Sequence, residues 1–339
     1  MMKITKAAEL RDLLADLPAK HAAIEAAARQ RQGRLVKPPG SLGRLEDIAV
    51  HLAAWQGNVT PRADAVRIIV FAGSHGVTRY GVSPYPDAVN AQMLAGFRAG
   101  IAAINQLARA FDASLTAIDC GVDRPTGDMT ATAALDEEEF VAAVNTGLGA
   151  VSGAEELLIL GDMGIGNTTA AAALAAALFG GGGVDWAGPG AGLDSQGVRN
   201  KAAIVDRALR HHGAALKDPI EAARRVGGRE LAAIMGAALA ARLHRVPLLL
   251  DGFIVTSAVA PLLRLAPGAL DHAIAAHESG EPAHRRCLHA MGLVPLLSLG
   301  MRLGEASGAA AAIGLVRAAV ACHNGMATFE EAQVSGPSA

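Results

Sequence analysis

The stretch Gly161-Asp162-Met163-Gly164-Ile165-Gly166-Asn167-Thr168-Thr169 constrains the fold more than any other part of the chain. It follows the apolar run Leu157-Leu158-Ile159-Leu160 and precedes an alanine-rich segment with the composition of a helix. Strand, glycine loop and helix start, in that order, form the unit from which parallel α/β sheets are built. Glycines let the backbone approach a ligand closely, and the free N–H groups of the following helix favour an anion such as a phosphate. Asn167, Thr168 and Thr169 add a cap and side-chain donors. No Gly-Lys-Ser/Thr follows, so this is not a Walker A loop, and Thr169 stands where the dinucleotide fingerprint has its third glycine. The same residue types also build a plain tight turn capping a buried helix, so on pattern alone both readings stand.

The same alternation runs along the chain. Residues 66–72, 115–119, 157–160 and 246–250 read as strands, each closed by a glycine or acidic loop and separated by alanine-rich helical segments. Continuous apolar strands alternating with helices predict a Rossmann-like parallel sheet covered on both faces, with ligands at the carboxyl ends of the strands. The first sixty residues and the last forty or so read as helical without strands. They predict a small helical domain built from residues 1–60 and 306–339, beside a large α/β domain over 61–305 that carries the loops.

Composition excludes several function classes. With 339 residues, 51% of them hydrophobic, the chain can bury a large core. A formal net charge of -2 and 3% aromatics offer neither a basic field nor stacking platforms, so nucleic acid is not an expected partner. Cys120, Cys287 and Cys322 are widely spaced and form no C-x-x-C pair, which argues against zinc or a disulfide framework and suits a reducing compartment. The charged start (Lys3, Lys6, Glu9, Arg11, Asp12) does not read as a secretory signal, and the Ala/Gly stretch 170–184 is too short to span a bilayer. A cytoplasmic protein with no membrane span is expected.

Five further motifs carry chemistry-bearing side chains. Residues 37–46, Lys37-Pro-Pro-Gly-Ser-Leu-Gly-Arg-Leu-Glu46, interrupt the first helices with a rigid turn, readable as a connection between helices or as part of a site. His75, in the Gly73-Ser74-His75-Gly76 turn after the first strand, is either a ligand-contacting imidazole or a structural one. Lys201, in the first turns of the helix after Gly192-Leu193-Asp194, opposes the helix dipole unless an anion lies between, so it reads as a phosphate ligand or as a solvated lysine. Gly227 and Gly228 open another helix with amides free to face an anion. Glu305, in Arg302-Leu303-Gly304-Glu305, either complements a helix dipole or, held in an apolar site, serves as a general base.

Taken in order, the 37–46 motif, the 71–77 turn with Gly81-Val82-Ser83, Gly164-Ile-Gly-Asn-Thr-Thr169, Asn200-Lys201, Val226-Gly-Gly228, Leu250-Asp-Gly-Phe253 and Arg302-Leu-Gly-Glu305 resemble the nicotinate-nucleotide-dimethylbenzimidazole phosphoribosyltransferases. Any one of these motifs is weak, but seven in register across almost the whole chain are specific. The resemblance implies transfer of phosphoribose from nicotinate mononucleotide to 5,6-dimethylbenzimidazole for the lower ligand of cobalamin, without metal or organic cofactor, by a homodimer. It also implies that Glu305 is the general base, and that Gly164, Gly166, Asn167, Thr168, Thr169 and Lys201 hold the phosphoribosyl end. Ser83, Gln92 and Met93 fall where the family builds its benzimidazole pocket, and His75, Gly227 and Gly228 are carried as further substrate-binding candidates. Asp162 and Ser74 depart from the glutamate and aspartate expected at their positions. The shorter Asp162 withdraws its carboxylate by about one C–C bond, ~1.5 Å. A phosphorylated-ligand binding protein and a nicotinamide-dependent oxidoreductase are the alternatives from other classes, the second lacking the third glycine and the ribose-binding acid.

Overall fold

The computed structural model describes residues 3–335. Helices α1 (Glu9–Ala15), α2 (Ala22–Arg34) and α3 (Arg44–Gln56) precede strand β1 (Val66–Ala72). Next, α4 (Ala88–Ala99) and α5 (Ala103–Ala110) lead to β2 (Ser114–Asp119), and α6 (Glu137–Ala150) leads to β3 (Leu157–Met163). A helical stretch follows, with α7 (Asn167–Phe179), α8 (Gly183–Trp186), α9 (Ser195–His212), α10 (Pro219–Val226) and α11 (Arg229–His244). Strand β4 (Leu248–Leu250), α12 (Phe253–Leu265), β5 (Ala273–Ala275), α13 (Pro282–Ala290), α14 (Ser307–Ala311) and α15 (Ile313–Gly325) complete the order.

The five strands are parallel in the order β2-β1-β3-β4-β5. The chain runs outward from β1 to β2, then returns to the other side of β1 for β3, so the direction of winding reverses between β1 and β3. Crevices outside the carboxyl ends of strands form at such switch points. All four strands expected from the apolar runs are present. The fourth begins at Leu248 rather than Val246, because Pro247 has no N–H for the ladder and contributes only its carbonyl, which accepts from Leu158 N at 2.9 Å. β5 has no counterpart among the expected strands. Its Ala-Ile-Ala sequence does not stand out from the alanine-rich background, and its pairing with β4 is a tertiary effect.

The period-two alternation of the strands divides the core. Ile69, Phe71, Leu158, Leu160, Leu248 and Leu250 face α6, α7, α10, α11 and α12. Ile68, Val70, Leu157, Ile159 and Leu249 face α3, α5, α14 and α15. Each such side chain removed from water contributes ~1.5–3 kcal/mol. The run Ala170 to Ala175 in α7 is buried throughout, and alanine suits it because it forms helix without losing rotamer entropy. The two ends of the chain meet: Leu35 bridges Thr328, Arg31 Nε donates to the His323 carbonyl at 2.8 Å, and α3 packs on α15. Residues before α2 lie on the opposite face, where Leu10 and Leu14 join the core and Ile4 N donates to Asn145 at 2.9 Å.

Candidate active site

A cavity of about 630 Å³ opens at the carboxyl ends of β3, β4 and β5. Its floor comes from the end of β3 and the loop after it, Asp162 to Ile165 with Asn167 and Thr168, and from Gly252–Ile254 after β4. One wall is His277, Ser279 and Glu281 after β5, together with Gly190; another is Arg302 to Glu305, and Tyr85, Val89 and Met93 close the apolar side. A shallower depression at the amino ends of β1 and β2 has its cation, Arg67, already paired to Glu155 at 2.8 Å.

Glu305 is buried, and its Oε2 has no partner. Burial, with the Asp251 carboxylate nearby, pushes it up to about 7. Both Glu305 and Ala306 adopt left-handed backbone, with φ of 62° and 68°, a conformation that costs of order 1–3 kcal/mol per residue without glycine. The start of α14 maintains it: Glu305 N donates to the Asp162 carbonyl at 3.2 Å, and Ala310 N to the Ala306 carbonyl at 2.9 Å. Such strain is characteristic of functional sites, and here it turns a carboxylate into the cavity rather than along a helix.

Asp162 lies beside it, buried at the end of β3, with Oδ2 accepting from Asn167 Nδ2 at 2.9 Å and Oδ1 unpartnered. Burial and the carboxylates of Asp251 and Glu230 push Asp162 well above the ordinary aspartate range, with Glu305 adding to the effect. Gly166 precedes α7 as its cap, and Gly164, Ile165, Asn167 and Thr168 line the cavity. A chain of hydrogen bonds supports this loop from behind. Ile165 N donates to Asn90 Oδ1 at 2.7 Å, and Asn90 Nδ2 donates to Ser74 Oγ at 2.7 Å. Thr169 turns away into the core, where its hydroxyl has no partner.

Lys201 is 1% exposed, beneath Thr168 and the Gly190 turn. Its ammonium donates to Thr168 Oγ1 and to the Gly188 carbonyl, both at 3.0 Å, which leaves one N–H unassigned. Burial lowers it to about 8, opposed by Glu281. A lysine at this depth is not a solvated surface group. Glu281 accepts from Gly190 N at 3.1 Å with its other oxygen unpartnered, and burial raises it above the ordinary range.

Other residues singled out from the sequence sit elsewhere. His75 is buried behind the glycine loop, bonded through Nε2 to Glu230. Gly228 caps α11 against that ring, and a Cβ there would overlap His75 Cε1. The His75, Gly227 and Gly228 group thus underlies the glycine loop without lining the cavity. Val89 and Met93 line it at i, i+4 spacing on α4, which turns Gln92 outward; Ser83 accepts from Tyr85 N at 3.2 Å in the preceding loop. Glu281 and His277 carry no sequence signal, because they follow the unheralded strand β5.

The sequence model of the phosphoribosyltransferase family matches residues 17–334. A nicotinate-nucleotide–dimethylbenzimidazole phosphoribosyltransferase of Mesorhizobium japonicum is 55% identical over 327 residues, 96% of this chain and 97% of its own. The chain belongs to the nicotinate-nucleotide–dimethylbenzimidazole phosphoribosyltransferase family. Its relative of the same name from Rhizobium johnstonii is 51% identical over 96% of both chains. The crystal structure of CobT from Thermus thermophilus superposes with a TM-score of 0.88 at 42% identity, covering 93% of this chain and all of that one. Membership agrees with the doubly wound parallel sheet and with the position of the cavity at its carboxyl edge.

Proposed function

We propose that the protein transfers the phosphoribosyl group of nicotinate mononucleotide to 5,6-dimethylbenzimidazole, giving α-ribazole 5′-phosphate and nicotinate. The carrying observation is a buried, partner-free Glu305 carboxylate in a cavity two of whose lining residues, Thr168 and Gly190, lie over the buried Lys201. One benzimidazole nitrogen attacks the ribose C1′ while the proton on the other passes to Glu305. The bond from C1′ to nicotinate breaks with its electron pair going to the pyridine nitrogen, and configuration at C1′ inverts. A base that titrates near 7 is well matched to a neutral operating pH. The oxocarbenium character of the transition state benefits from the carboxylates around it.

Gly164, Gly166, Asn167, Thr168 and Lys201 hold the 5′-phosphate in this reading, using the amides that open α7 and the free ammonium N–H. Met93, with Val89 and Tyr85, forms the flat apolar wall against which an aromatic acceptor packs. Asp162 reaches the reacting groups through a bridging water or through its hold on Asn167. The assembly is a homodimer acting in the cytoplasm. Free Cys120, Cys287 and Cys322 suit that compartment, and exposed Val294, Leu299 and Leu303 supply apolar surface for a second copy. Among the described residues, no helix is long and apolar enough to cross a membrane. Mass spectrometry after mixing the protein with nicotinate mononucleotide and a panel of bases tests the reaction: absence of α-ribazole phosphate with dimethylbenzimidazole refutes it. Sedimentation velocity tests the dimer.

A further inference from the structure

The short segment from Glu305 to Ala309 is held from three sides. Below it is Gly161 of β3, where an added Cβ would lie 2.5 Å from Ala306 N and 2.8 Å from the Glu305 carbonyl carbon. Above it is the His277 ring, whose Nε2 a Cβ on Gly308 would overlap. From the end of β4, Asp251 Oδ1 accepts from Ala309 N at 2.8 Å and faces His277 Nε2 at 3.3 Å. Asp251 is 1% exposed, and its Oδ2 has no partner. A buried carboxylate whose second oxygen stays unsatisfied is costly. Its hydrogen bond from the Ala309 amide of α14 helps to fix the left-handed residues Glu305 and Ala306, and its charge lies close to the Glu305 carboxylate. The charged and titratable groups around Glu305 are Asp162 on β3, Asp251 after β4, His277 and Glu281 after β5, and Arg302 on its own loop.

We propose that Asp251 is a positioning residue for Glu305, holding the strained turn that aims it and acting on its proton through a like charge, with His277 as the brace that keeps Asp251 in place. This rests on the reading of Glu305 as the general base. Burial raises Glu305 first, and the repulsion between the two carboxylates adds to it. A proton taken from the acceptor is therefore held more firmly than an isolated glutamate would hold it.

Asp251→Asn keeps the shape and the acceptor for Ala309 N while removing the charge. Removing a like charge favours ionised Glu305, so the acid limb of kcat/KM is expected to move to lower pH by about one unit, the size of one close charge effect. Infrared difference titration of the ligand-free protein, with the Glu305 band assigned by subtracting Glu305→Gln, should show the same downward move. That second readout needs no substrate. Failure of the parent to turn over nicotinate mononucleotide and dimethylbenzimidazole defeats the functional reading alone, whereas an unmoved Glu305 titration in folded Asp251→Asn defeats this proposal. If Asp251→Asn does not fold, Asp251→Ser keeps a smaller acceptor at the same amide and is read by the same titration.

Discussion

Lys201 offers the test with the most quantitative content. Lys201→Met keeps most of the volume of a side chain that is 1% exposed but removes the ammonium. Loss of a charged hydrogen bond to phosphate costs ~1.5–3 kcal/mol, so nicotinate mononucleotide should bind roughly 10- to 150-fold more weakly at pH 7. The penalty should itself depend on pH. Burial lowers the lysine to about 8, and the binding form is the protonated one. A group titrating there is ~90% charged at pH 7 and ~10% charged at pH 9, so the parent loses about ninefold in affinity over that interval while the variant has nothing to lose. The ratio of the two affinities therefore contracts by the same factor at pH 9. Calorimetry at both pH values, in two buffers of different ionisation enthalpy, also counts protons: uptake on binding should be small at pH 7 and close to one at pH 9. Dimethylbenzimidazole affinity should not change, because the ammonium lies under Thr168 and Gly188 rather than against the apolar wall. A pH-independent ratio, or equal losses for both ligands, would refute the assignment; circular dichroism shows whether the orphaned Gly188 carbonyl has disturbed the fold.

Glu305→Gln should lower kcat by ~10²- to 10⁴-fold while leaving nucleotide binding intact, and turnover near the parent value removes Glu305 from the mechanism. Because the folded-state value of Glu305 is raised to about 7, its protonated form stabilises the fold at low pH and that stability is lost as pH rises through about 7. The ligand-free Gln variant should therefore melt higher than the parent at pH 8, and parent kcat/KM should rise with pH through the same region. For Asp162, the Glu variant should be tolerated and the Ala variant should lose more activity, since Ala leaves Asn167 Nδ2 without its acceptor; Ala turning over like the parent makes Asp162 a loop residue only. Gly228→Ala places a Cβ on the His75 ring and should raise KM for nicotinate mononucleotide by shifting the glycine loop, a split that steady-state kinetics reads directly.

The parallel sheet was legible because its signals are local. Leu157 to Leu160 and Val66 to Ala72 are apolar runs that end in glycine, and their period-two sorting onto two helical layers follows from the pleat. β5 was not legible, because three residues without a branched run become a strand only once β4 is there to pair with. The same dependence hid half of the cavity wall. Gly190 and Glu281 are 91 residues apart, and their meeting depends on where β5 and α13 come to lie.

The candidate site divides along the same line. Glycine loops and a lysine in the first turns of a helix make a phosphate end one of the readings open to the sequence, because phosphate recognition uses backbone amides and a point charge. The sequence cannot show whether a carboxylate at such a site is ionised, since that depends on burial and on charges brought together from distant positions. Asp162, Asp251 and Glu305 come from three separate segments, each with one buried oxygen that has no partner. In water each would be an ordinary acid. At the carboxyl edge of β3 and β4, burial and the Asp251 carboxylate raise both Asp162 and Glu305, and the one whose backbone is forced into the left-handed region faces the cavity with a proton affinity near neutral. The motif Arg302-Leu303-Gly304-Glu305 places that group at the site, but its proton affinity is supplied by burial and by a carboxylate 54 positions earlier in the chain, Asp251.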